Sequence, residues 1–175
     1  MAIENENEEA VKAVNSMQHA DKPVVPELFS EQLKNVFKSV FDIHKALAGD
    51  DPAKAGTSAR TAKEKLSQVD MTLLKGHEHM IWMQHLKNLH GALSALASSD
   101  KIEQQREEFY KLSQQLLKTV QVFPVPQQKI YIAFCPMAFN NSGAVWLQES
   151  DGILNPYFGA AMLHCGEIQK ELGDD

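Results

Sequence analysis

The sequence predicts a mainly α-helical domain: an antiparallel, up-and-down four-helix bundle with a small C-terminal β-hairpin and a short terminal helix. Three observations predict it. Four stretches between residues 27 and 122 repeat apolar residues at the i, i+3, i+4, i+7 spacing of amphipathic helices, with short loops between them. After Pro124 and Pro126 the repeat changes to the alternation of a strand, at Ile130, Ile132 and Phe134. Turn chemistry at Asn140-Asn-Ser-Gly143 then leads into a second short strand at 144–148.

Taken in order, residues 1–26 are polar and acidic, with Glu4, Glu6, Glu8 and Glu9 crowded together and weak periodicity at Val11, Val14 and Met17. They read as a flexible arm, punctuated by Pro23 and Pro26, with residues 27–175 forming one domain. The first helix, 27–48, carries Leu33, Val36, Phe37, Val40, Phe41, His44 and Leu47 on one stripe, and Gly49 stops it. Asp51 and Pro52 supply an N-cap and a first-turn proline for the second helix, which runs to about Val69. Its seam of Ala55, Ala59, Ala62 and Leu66 is narrow, so a neighbour packs closely but buries little area. Asp70 or Thr72 opens the third helix, which runs to about Ala97 with Trp82, Leu86, Leu89, Leu93 and Leu96 inward. Asp100 with Glu103 forms a capping-box-like start for the fourth, whose stripe includes Phe109, Leu112, Leu116 and Val120. Asn155-Pro156 would cap a last short helix, weakened by Gly159 and Gly166.

Composition narrows the function classes. At 175 residues, 43% hydrophobic and 23% charged, the chain has enough apolar material for one packed core. The formal net charge of −6 and the lack of a basic cluster argue against a nucleic-acid partner. No apolar run approaches the ~20 residues of a spanning helix. Met1-Ala-Ile-Glu-Asn-Glu shows neither the basic nor the apolar part of a secretory leader. No nucleophile elbow, phosphate loop or dinucleotide fingerprint occurs.

The candidate chemistry lies in residues 122–172. Both cysteines are there, each near a methionine: Cys135-Pro136-Met137 on one side, Met162-Leu163-His164-Cys165 on the other. Thiolate and thioether sulfur are soft donors that suit Cu(I) or Ag(I), and facing sulfur pairs would hold such an ion. The competing reading is a structural or interaction module with a Cys135–Cys165 disulfide and two core methionines. In the third helix, the run from His77 to His85 is not an H-E-x-x-H zinc motif, because its second histidine follows too soon. His79, Met83 and His90 align along one edge of the core stripe, either as further ligands or as boundary residues. His164 beside Cys165 raises a minor thiol-redox alternative. A thiol enzyme also needs a base and an orienting group, and no third member is identifiable, so the chain reads as non-enzymatic.

The runs Phe134-Cys-Pro-Met-Ala138, Gly143-Ala-Val-Trp-Leu147 and Asn155-Pro-Tyr-Phe-Gly-Ala-Ala-Met-Leu-His-Cys-Gly166 resemble a bacterial domain family of unknown function. Its members occur alone or at the C-terminus of periplasmic adaptor subunits of CusB-type heavy-metal efflux pumps. The resemblance extends over about residues 28–172, through Ala46-Leu-Ala-Gly-Asp-Asp51, Val69-Asp-Met71, His79 with Trp82-Met83, and Glu103-Gln-Gln-Arg-Glu-Glu-Phe109. It implies a periplasmic or cell-envelope protein tied to copper or silver handling, with efflux adaptor or pump components as partners. Carried over by position, Cys135, Met137, Met162 and Cys165 match the sulfur positions of the C-terminal signature. His79 and Met83 match its His-x-x-Trp-Met element. The chain departs from the adaptor pattern, since no adaptor-like half precedes the matching region.

Overall fold

Our computed structural model describes Glu8, Glu9, Val11, Lys12 and residues 23–173. Most of the acidic arm, including Val14 and Met17, lies outside the described residues. Glu8, Glu9, Val11 and Lys12 are helical, and Val11 packs against the core.

The chain is mainly helical, with a small three-stranded antiparallel sheet at its C-terminal end. Helix α1 spans Glu27–Ala48, α2 Pro52–Ser67, α3 Gly76–Ser98 and α4 Ile102–Val122. Each packs on the next in the chain. The expected stripes are the buried faces: Phe29, Leu33, Phe37, Phe41 and Leu47 of α1 are fully buried, as are Trp82, Leu89, Leu93 and Leu96 of α3. The small seam of α2 is likewise sealed, with Ala55, Ala59, Ala62 and Leu66 inaccessible to solvent. Asp51 caps α2 as the sequence predicts, its Oδ1 accepting the Lys54 N–H at 2.9 Å.

Two helix starts differ from expectation. Asp70 caps only a single 3₁₀ turn, Met71–Leu73, and α3 begins afterwards at Gly76, whose φ of +58° a helix cannot continue through. At α4 the capping box does not form. Lys101 is the N-cap, and the Ser99 hydroxyl accepts its N–H at 3.2 Å.

The sheet holds the larger correction. Strands β1 (Ile130–Cys135) and β2 (Ala144–Gln148) pair antiparallel, as the alternation predicts, around a turn in which Phe139, Asn140, Asn141 and Gly143 have positive φ. Among the described residues no terminal helix follows. Residues Gly159–Ala161 make one 3₁₀ turn, and Glu167–Leu172 form a third strand, β3, on the other side of β1. Gly166, at φ +129°, re-aims the chain into that strand. Half-exposed along most of its length, β3 is an edge strand without the strict alternation of a strand that buries one face.

The sheet packs on α4 through β2, and the segment after β2 returns to the end of α1. There His44 is buried, stacked on Phe109, and its Nε2–H donates to the Leu154 carbonyl at 2.7 Å. The carbonyl has no proton to give, so Nε2 carries one, and Nδ1, buried, has no partner that would favour a second. Burial holds the pKa of His44 down to about 4, against the backbone bond that favours the charged form. The unfolded chain binds a proton near the ordinary value of 6.5, so the unfolded state gains protons first as pH falls. Stability should therefore be complete above about pH 6.5 and fall towards pH 4, by an amount on the order of 3 kcal/mol. Urea midpoints measured across this window should slope for the native chain and slope less for His44→Gln, which keeps a donor for Leu154 but does not titrate; His85, also lowered by burial, supplies the remaining slope.

Candidate functional site

Cys135 ends β1 and is fully buried; Cys165 lies in the loop before β3 and is half-buried. Their sulfurs are 3.0 Å apart, and both are free thiols. The sheet register is the cause. The β1–β3 ladder runs to the pair Phe134 and Glu167, so the next residues outward, Cys135 and Gly166, are carried side by side with Cys165 adjoining. Close approach depends on the glycine. A Cβ at position 166 would stand 2.9 Å from the Phe134 carbonyl oxygen and 2.9 Å from the Trp146 ring. The Cys165 thiol is pushed up to about 11, first by its hydrogen bond with Cys135 and then by desolvation, so at neutral pH it is protonated and a poor nucleophile.

The loop bearing Cys165 is held by polar contacts that sequence reasoning passed over. Asn155, fully buried, donates from Nδ2 to the Cys165 carbonyl at 2.8 Å and accepts the N–H groups of Tyr157 and Phe158 at Oδ1. Arg106 of α4 donates to the Pro156 carbonyl at 2.8 Å, the Leu47 carbonyl at 3.1 Å and Asp50 at 2.7 Å. Asp50 also accepts the Ala160 N–H at 2.8 Å, and these donors hold its carboxyl below the usual range, the Ala160 N–H most strongly. Tyr157 is buried among Phe109, Tyr110, Phe139 and Trp146, its hydroxyl donating to the Val145 carbonyl at 2.7 Å. The signal for these residues was present: they sit in the very runs, 46–51, 103–109 and 155–166, that carried the resemblance.

The other candidate ligands are distributed unevenly. Met137 is exposed in the turn after Cys135, and Met162 is half-buried, its carbonyl accepting the Cys165 N–H at 3.0 Å. His79 and Met83 stand on the first turns of α3, close to Trp82, which packs on Phe123 at the far end of α4. The cysteine end of the molecule packs on Phe109, 14 residues earlier in that helix, or about 20 Å along its axis. The structure thus brings the two cysteines together and leaves His79 and Met83 elsewhere. His90 is exposed. Among the described residues, no group of three or more His, Cys, Asp or Glu side chains is placed to hold a metal ion. No described helix is long and apolar enough to cross a membrane.

Fold and site together define a helical domain with an appended sheet, at one end of which two thiols meet. The chain belongs to the family described as protein of unknown function DUF3347, whose pattern matches residues 36–128. That span covers most of α1 to α4 and stops before Cys135. No curated protein and no solved structure matches the chain.

Two outcomes check this geometry. Under reducing conditions, alkylation of Cys165 should be slow at pH 8, and Cys135→Ala, which removes the main cause of its raised pKa, should speed it roughly tenfold or more. Gly159 has φ +57°, and a Cβ there would overlap the Asp50 carboxylate and the Arg106 guanidinium. Gly159→Ala should therefore cost about 2 kcal/mol or more, read as a lowered urea midpoint.

Proposed function

We propose that this chain is a non-enzymatic domain of the bacterial periplasm or cell envelope that binds Cu(I), Ag(I) or a similar soft ion. Cys135 and Cys165 are its primary ligands, with Met137 and Met162 as the neighbouring thioethers. The observation that supports it best is the 3.0 Å approach of two thiols from segments 30 residues apart. The donor chemistry points the same way, because two sulfurs without a third His, Cys, Asp or Glu suit a soft ion of low coordination number better than tetrahedral zinc. The four helices, read as an up-and-down bundle, serve as a rigid base, and efflux adaptor or pump components are the partners that the resemblance suggests. Binding must displace the thiol protons, so affinity rises with pH.

The same separation favours a second reading. A disulfide requires sulfurs about 2.05 Å apart. A metal bridging two thiolates in a two-coordinate, near-linear arrangement, with bonds of about 2.3 Å, requires about 4.6 Å. The pair at 3.0 Å stands about an ångström from the first and about 1.6 Å from the second, and Cys165 is the less buried member. In the second reading the chain is an interaction module locked by a Cys135–Cys165 disulfide.

Anaerobic titration of the reduced protein with Cu(I) against a competing chelator tests the first reading. Binding that drops in Cys135→Ser is the expected result; no binding, or no change in that variant, overturns it. Counting free thiols on unreduced protein tests the second, since quantitative labelling of both cysteines excludes the disulfide.

A further inference from the structure

Methionine is ordinarily a flexible core filler. Here the described methionines are Met71, Met80, Met83, Met137 and Met162, and none belongs to the buried core. Three of them, Met71, Met80 and Met83, are exposed at the α3 start, remote from the cysteines. His79 lies among them. Its Nδ1 is 3.0 Å from the carbonyl oxygen of Met71, so Nδ1 carries the proton and donates it, leaving the lone pair on Nε2. Histidines that bind metals are oriented in this way, with the second ring N–H given to a backbone carbonyl. Met83 follows His79 by one helical turn, which places the two Cβ atoms about 5–6 Å apart on one face of α3. Met71, whose carbonyl faces the ring, is 37% exposed as a residue, and Met83 is 43% exposed.

We infer that His79, Met83 and Met71 form a second soft-metal site, separate from the cysteine pair and taking Ag(I) or Cu(I) through one imidazole nitrogen and two thioethers. All three donors are neutral, so the site gives no advantage to divalent hard cations. It contains no thiol, so binding releases no thiol proton and continues when the cysteines are oxidised. The dithiol retains a soft ion under reducing conditions only, whereas the thioether site exchanges it in either redox state. The inference does not rest on the cysteine reading and survives its failure.

The test uses Ag(I), which undergoes no redox change in air, on the Cys135→Ser/Cys165→Ser double variant. Calorimetry should still detect Ag(I) binding, and the methyl NMR signals of Met71 and Met83 should shift while those of Met137 and Met162 stay in place. Adding His79→Gln should weaken binding roughly tenfold or more. Should that change disturb the fold, Met83→Leu keeps the volume and removes the sulfur, and should weaken binding likewise. Absence of Ag(I) binding in the double variant overturns the proposal. So do shifts confined to Met137 and Met162, or unchanged affinity in Met83→Leu.

Discussion

The rest of this structure depends on the contact between Arg106 and the two segments it joins. One guanidinium on α4 donates to the Leu47 carbonyl at the end of α1, to Asp50 beyond it, and to the Pro156 carbonyl of the C-terminal segment. Asp50 completes the tie by accepting the N–H of Ala160. A planar, permanently charged donor with several N–H groups suits this task, because it can reach two backbone carbonyls and a carboxylate on separate segments at once. The ion pair itself is partly exposed and contributes modestly through charge. Its consequence is positional: the segment carrying Cys165 is fixed to the helices at 156–160.

Around that tie, apolar and polar packing cooperate. Tyr157 inserts among four aromatic rings from α4, the β1–β2 turn and β2, while its hydroxyl reaches the Val145 carbonyl. Gln148 accepts the Trp146 indole N–H and donates to the carbonyls of Ser150 and Gly152, so the turn after β2 is satisfied internally. His44 adds a third attachment at Leu154. The attachments that precede Cys165 thus lie at 154 and at 156–160. The cysteine itself hangs beyond them, held by the Asn155 amide through its backbone and by Cys135 through its sulfur. A buried thiol on a strand faces a half-exposed one on a loop, an arrangement suited to a partner that enters between them or to closure of the pair.

The two soft-donor regions differ in origin. The cysteine pair is built by sheet register, from residues 30 apart in sequence. The His79 region is built within one helix and the 3₁₀ turn before it, where Asp70 is tied to α1 through the Gln32 side chain. Oxidation of thiols separates them chemically, and about 20 Å of α4 separates them in space. The family match, ending at residue 128, includes the His79 region and stops short of both cysteines.

The helical repeats determined four helices and their inward faces, because a 3.6-residue period leaves a stripe that only burial satisfies. Alternation at 130–134 and the turn residues at 140–143 determined the hairpin, and Asp51-Pro52 its helix start, since these are local effects. Tertiary structure decided the rest. The stretch 167–172 becomes a strand because the open edge of β1 offers it backbone partners, a choice invisible in six residues none of which is buried. Met137 and Met162, expected to complete a four-sulfur site, flank a pair whose 3.0 Å approach depends on a register no spacing encodes. The motif from Asn155 to Gly159 carried the resemblance, and its chemistry emerged only when Asp50 and Arg106 came to meet it. Spacing along the chain reports local periodicity. The meeting of residues 50, 106 and 160, or of 135 and 165, is a property of the folded chain alone.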